Sequence, residues 1–311
     1  MTNIFAKIKP VLKRLRHNGR IALARGLGRY GKRILSAAQG NEAIATALQT
    51  VAPFMAARIG SVELACLVYY LKHRQSKPLP YPDEIKKTMH DNAGFFPADD
   101  SNLDRFAQEF LASVKSVDLL AVWFNQGEDL VCREFCPQAQ LAELTCLEPY
   151  YFAQPWSAML AGKSVLVVHP FDRSIENQYF NKREKIFTNP TILPRFTLQT
   201  VRTVLSLGDQ TSEYSDWFAA LESMKKQIAA KDFDIAIIGA GAYGLPLAAY
   251  VKSLGKKAIH LGGATQILFG IKGKRWDNAP QVAAMYNENW VRPWAQETPR
   301  GAEKVEGSTY W

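Results

Sequence analysis

The sequence predicts an α/β protein: a Rossmann-like, doubly wound, mostly parallel sheet with a basic helical N-terminal arm. Three observations predict it. The runs DLLAVWF (Asp118–Phe124), KSVLVV (Lys163–Val168) and DIAII (Asp234–Ile238) are apolar without alternation, the mark of strands buried on both faces. Between such runs lie stretches with apolar residues at helical spacing, and strands alternating with helices build a parallel sheet. A glycine loop, Gly239 to Gly244, joins DIAII to the helical stretch LPLAAYVKSL.

The elements follow in order. Residues 1–40 hold ten lysines and arginines and no acid; the first is Glu42. Ile4, Ile8, Val11, Leu12 and Leu15 recur at helical spacing among these charges. The stretch therefore reads as a basic amphipathic arm suited to an anionic membrane surface through residues 1–38. A solvated or partner-binding arm and an organellar transit peptide share this composition. Nucleic acid is not expected as a partner, because the aromatic interleaving and modules of such proteins are missing. The catalytic body is expected over residues 41–297. There Ala43–Leu48 reads as helix, Phe54–Ile59 as strand and Glu63–Leu71 as helix. A short helix over Glu84–His90 sits in a loop-rich stretch, and Asn102–Val114 is an amphipathic helix. Tyr214–Ala230 follows as a helix, then Leu247–Leu254, stopped by Gly255, and the strand Ala258–Leu261. Residues 298–311 read as a polar tail.

Composition bounds the rest. The 311 residues are 47% hydrophobic and 22% charged, with a net charge of +9, an ordinary globular balance. No run of about 18 apolar residues predicts a membrane span, and the N-terminus lacks the apolar core of a secretory signal. Cys66, Cys132, Cys136 and Cys146 lack zinc-site spacing. They read as buried free thiols of a reducing compartment, which places the protein in the cytoplasm, peripheral at the inner face of the cell membrane.

Four segments carry candidate chemistry. In the loop containing Gly239, Gly241, Tyr243 and Gly244, glycines let a phosphate approach backbone amides at a helix N-terminus; a tight strand-to-helix turn is the plainer use. A dinucleotide site would carry an acid at the end of the next strand. That strand instead ends in His260-Leu261-Gly262-Gly263, so a nucleoside diphosphate is the expected ligand and NAD(P) the alternative. The second segment is Arg58-Ile59-Gly60-Ser61-Val62-Glu63 at a strand–turn–helix junction. Arg58 suits a phosphate as a bidentate fork, and Glu63 a divalent metal or a base role; a helix-terminal carboxylate with a local arginine is the bland version. The third, His169 to Ile175, reads as a ligand-facing loop bearing His169, Arg173 and Ser174. The fourth pairs Gly262 and Gly263 with Lys272, Lys274 and Arg275, phosphate counter-charges beside Trp276.

These segments, in this order, resemble the GT-D class of bacterial glycosyltransferases, whose R-x-G-D-x-E segment carries a metal and sugar-nucleotide site. Arg58, Gly60 and Glu63 match it in RIGSVE, and Ser61 stands where the class has its first Asp. The resemblance spans roughly residues 50–275 and also looks like proteins found among bacterial surface-polysaccharide enzymes. It implies transfer from a nucleoside diphosphate sugar to a glycan or lipid-linked acceptor, with Glu63 and His169 catalytic and Mn²⁺ or Mg²⁺ at Glu63. With Ser61 in place of Asp, either Glu63 works with another acid such as Asp172, or arginine and lysine replace the metal, or transfer is lost. In that last case the protein is a nucleotide-sugar-binding scaffold.

Overall fold

The computed structural model describes residues 28–74, 78–206, 212–299, 301–302 and 310–311. One sheet of eight strands runs through it, in the order β1-β4-β3-β2-β8-β7-β5-β6. The strands are β1 (Ile34–Leu35), β2 (Phe54–Ala57), β3 (Leu119–Val122), β4 (Gln140–Glu143), β5 (Ser164–His169), β6 (Thr197–Arg202), β7 (Ile235–Ile238) and β8 (Lys257–His260). Every pairing is parallel. This is the doubly wound, Rossmann-like α/β architecture the apolar runs predict.

Successive side chains of β5 go to opposite faces. Leu166 and Val168 join a core with Leu67, Phe106 and Trp217, while Val165 and Val167 join one with Ile44, Trp156 and Phe171. Both faces are covered, which is why these strands are apolar throughout. The helices start where the sequence supplies caps. Asp99 accepts from the Asn102 amide at 2.9 Å to open Asp100–Val114, and Asp216 accepts from the Ala219 amide at 2.8 Å to open Trp217–Ala229. Among the described residues no helix is long and apolar enough to cross a membrane.

The structure departs from the sequence reading in three places. The boundary expected at residue 40 falls inside a helix, α1 (Ala37–Gln49), opened by a capping box between Ser36 and Gln39. Just before it β1 pairs with β4, so residues 34–40 belong to the sheet body; residues 1–27 of the arm lie outside the described residues. Strands β1, β4 and β6 and the helix Glu128–Phe135 were not expected. They are short or carry polar residues at exposed positions, which weakens their periodicity. The loop expected after His169 is instead the start of a 15-residue helix, Asp172–Ile186. Its N-terminus is capped from far along the chain: the buried Glu297 carboxylate accepts from the Arg173 amide at 2.9 Å, the Ser174 amide at 3.1 Å and the Ser174 hydroxyl.

In a doubly wound sheet the chain leaves neighbouring strands in opposite directions at one place, opening a crevice at their carboxyl ends. Here β2 continues to β3 on one side and borders β8 on the other. A pocket opens there.

Candidate functional site

The pocket is a cavity of about 130 Å³. Its walls are the residues that follow β2 (Arg58, Gly60–Glu63), β3 (Trp123), β5 (His169–Phe171), β7 (Gly239, Gly241) and β8 (His260, Gly262, Gly263). Gln266, Arg275, Tyr310, Trp311, Asn92 and Leu205 complete it.

Two guanidiniums dominate its electrostatics. Arg58 lies over the Trp123 ring, 4.4 Å from its centroid, and against Gly262, where a Cβ would come within 3.2 Å of it. Arg275 lies between the rings of Trp276 and Tyr310, at 5.5 and 5.1 Å. Aromatic faces hold both cations. Burial pulls the Arg58 guanidinium below its ordinary range, opposed by Tyr310, Glu148 and Glu63. Burial raises the Glu148 carboxyl to about 7 against the pull of Arg58.

Beside Arg58 starts α2 (Ser61–His73), with Gly60 at its N-cap and no side chain capping its first turn. Glu63 folds back over that start. A Cβ on Gly60 would lie 2.0 Å from its Oε2, so any larger residue there would push the carboxylate aside. The carboxylate complements the positive helix end, and it is buried to 9% exposure.

The lining also carries polar side chains that are uncharged. Burial drives both His169 and His260 down to about 3, so both rings are neutral at physiological pH. His169 Nδ1 accepts from the Phe171 amide at 3.0 Å, which leaves its ring proton on Nε2. His260 Nδ1 and Gln266 Oε1 are buried without a hydrogen-bond partner. Both belong to residues of the pocket lining.

The glycine loop behaves unlike a phosphate cradle. The Gly239 amide donates to Val168, the Ala242 amide to the Ala93 carbonyl and the Tyr243 amide to Ala240. A Cβ on Gly239 would meet the Gly262 carbonyl at 2.6 Å and the His169 ring at 2.7 Å; one on Gly244 would meet the His260 ring at 2.3 Å. Gly239 and Gly244 are thus glycines because two buried histidines and a neighbouring backbone press on them. Gly241, at φ +52°, does line the pocket.

Of the sequence candidates, the fold brings together Arg58, Gly60, Ser61, Glu63, His169, Gly239, Gly241, Gly262, Gly263 and Arg275. It does not bring Arg173 or Ser174, whose amides serve Glu297. Tyr243 stacks on Trp217 at 4.9 Å in the core, Gly244 packs on His260, and the Lys272 ammonium sits 5.1 Å over the Tyr286 ring. Asp172, the suggested second acid, is 3.6 Å from Arg202 and outside the pocket lining. The sequence reading did not single out Trp123, Asn92, Tyr310 or Trp311 as site residues. Trp123 closes the run DLLAVWF, so its place at a strand's carboxyl end was open to inspection; Asn92 and the Tyr310–Trp311 pair carry no local signal.

The donor set suits a divalent metal poorly. Among the described residues no group of three metal-ligating side chains converges. Glu63 is the one carboxylate of the lining, and Arg58 and Arg275 share that lining. A bound cation here would face two fixed positive charges.

Fold and site together define an α/β protein with a cationic pocket at the carboxyl edge of a parallel sheet. No family model matches the chain, and no curated protein does. Two solved structures of the domain of unknown function 1792 superpose on it. One is a selenomethionine-substituted structure, 12% identical, with a TM-score of 0.48 over 89% of this chain and 96% of that one. The other is described as having a distinct glycosyltransferase fold. It is 11% identical, with a TM-score of 0.49 over 88% of this chain and 96% of that one. The likeness concerns the path of the chain alone.

Proposed function

We propose that the pocket binds a nucleoside diphosphate sugar and that the protein transfers the sugar to a glycan or lipid-linked acceptor. The observation that carries this reading is the mixed lining of the pocket: the guanidiniums of Arg58 and Arg275 together with neutral His169, His260 and Gln266. A ligand suited to both has an anionic part and a hydroxyl-rich neutral part. Stabilising the departing diphosphate is the main electrostatic task of such a transfer, and the two guanidiniums supply it from the chain itself. The anomeric carbon–phosphate oxygen bond breaks, the acceptor oxygen bonds to that carbon, and the acceptor's proton passes to Glu63. His169 holds a sugar hydroxyl through Nε2–H. No step is routed through a metal. The acceptor class rests on the resemblance of RIGSVE, and docking of residues 1–27 on an anionic membrane would bring the pocket to lipid-linked acceptors.

The test is a calorimetric titration with nucleoside diphosphates, their sugars, NAD(H) and NADP(H), with and without Mn²⁺. The expected result is binding of the first two without added metal and none of the dinucleotides. Tight dinucleotide binding alone would replace this reading with the oxidoreductase one. Binding of nucleotide sugar without any transfer or hydrolysis would leave a scaffold.

A further inference from the structure

The pocket is already partly filled by the chain. Tyr310 and Trp311 follow the sheet body by more than forty residues, yet both line the cavity. The Tyr310 hydroxyl meets Arg275 Nη1 at 3.4 Å, and the Tyr310 carbonyl meets Gln266 Nε2 at 3.5 Å. The Tyr310 ring lies over Gly263, where a Cβ would come within 2.9 Å of it. Trp311 is held more firmly. Its Nε1 donates to the Glu297 carbonyl at 3.0 Å, its carbonyl accepts from the Lys274 amide at 3.2 Å, and its ring meets Phe171 edge-on.

Three features show that Tyr310 is a poor permanent occupant. Its hydroxyl contact with Arg275 and its carbonyl contact with Gln266 are at the long limit of a hydrogen bond. It sets a neutral hydroxyl beside a guanidinium, where an anion binds far better. With Tyr310 in place, His260 Nδ1 and Gln266 Oε1 stay buried and unpaired. A wall built for good would satisfy them. The remaining cavity, about 130 Å³, is also small beside the roughly 300–1,000 Å³ of a ligand site.

We infer that Tyr310 is a self-ligand: anchored by Trp311, it covers Arg275 and competes with the anionic ligand for the pocket. A ligand binds only to the fraction of molecules with Tyr310 displaced, so the apparent affinity is lowered by that fraction. Masking of Arg275 does not depend on the proposed transfer activity; only the competition rests on the pocket being an anion site.

The experiment has two arms. In the first, phenylglyoxal modification of Arg275 is followed by peptide mass spectrometry, without ligand, in the full chain and in Tyr310→Ala. In the second, both proteins are titrated with inorganic pyrophosphate. Arg275 should react roughly tenfold faster in the variant, and pyrophosphate should bind roughly tenfold more tightly, as expected for release of one or two weak contacts. Gly263→Ala, which pushes on the Tyr310 ring from the other side, should speed Arg275 modification too. Equal Arg275 reactivity in all three proteins overturns the inference. So does equal or weaker pyrophosphate binding by Tyr310→Ala, which would make Tyr310 part of the ligand's own wall. Faster modification with no pyrophosphate binding by any protein leaves Arg275 masked by Tyr310 but removes the diphosphate reading.

Discussion

Two strand–turn–helix junctions meet at this pocket, and they use glycine differently. After β7, the loop Gly239–Gly244 has the spacing of a phosphate-binding turn, yet its amides at 239, 242 and 243 bond to the protein. His169 and His260 occupy the space beside its first and last glycines. After β2, Arg58–Glu63 has one glycine, and it makes room for the Glu63 carboxylate over an uncapped helix start. The first junction is a packing joint and the second a binding edge. A glycine pattern reports where backbone must come close to something; only the fold says whether that something is a ligand or the protein itself.

The contrast can be broken in binding first. Arg58→Ala should weaken nucleoside diphosphate binding by about 10–150-fold, the worth of about 1.5–3 kcal/mol for a hydrogen bond to a charged group, measured by calorimetry. Gly241→Ala, at a loop glycine that lines the pocket, should change that affinity far less. An equal loss in both would restore the glycine loop as the phosphate cradle.

Stability should divide the other way. Gly244→Ala drives a methyl into the His260 ring and should cost about 1–3 kcal/mol of unfolding free energy, as overpacking does, read from denaturant curves. Arg58→Ala, at the pocket, should leave the denaturation midpoint closer to that of the parent. A well-folded Gly244→Ala protein that loses nucleotide binding would contradict the packing role.

The histidines behind the loop sharpen the comparison through pH. Their folded values lie near 3, below the ordinary value near 6.5, so the stability they lend is present above about 6.5 and lost as pH falls toward 3. Glu128 and Glu148 are raised to about 7 by burial. Their contribution is present below the ordinary carboxyl value and lost as pH rises through about 7. Between roughly pH 4.5 and 6.5 the two trends oppose each other, each group contributing about 1.4 kcal/mol per pH unit. Stability should therefore be flat there and fall steeply below. Glu128→Gln, which keeps an acceptor for the Trp123 and Phe124 amides and the Tyr30 hydroxyl, should make stability fall from about pH 6.5 downward. A profile in that variant that is flat or rises toward acid would mean the histidines are not both held neutral.

The smallest effect is expected on the β2 side. Glu63→Gln should cost only about 0.3–1 kcal/mol of stability, its value as a charge at a helix start. It should leave nucleotide affinity equal or slightly higher and abolish transfer. Retained transfer would remove Glu63 from the reaction and leave it a cap for the positive helix end.

The sequence alone determined the architecture and part of the site. Apolar runs such as KSVLVV are readable because burial on both faces leaves no room for alternation, and Arg58, Glu63 and His169 were findable because they directly follow such strands. Short strands such as Ile34–Leu35 and Gln140–Glu143 carry too few residues for a period, and the helix after His169 is capped by Glu297, more than a hundred residues away. Tertiary structure alone decided which candidates meet. It withdrew Arg173 and Ser174 to serve that carboxylate, turned Tyr243 and Lys272 onto core and surface rings, and delivered Trp123, Gln266 and Tyr310 to the cavity. The physical reason is that local pattern records what a residue's own segment must bury, whereas a pocket is made of what distant segments leave between them.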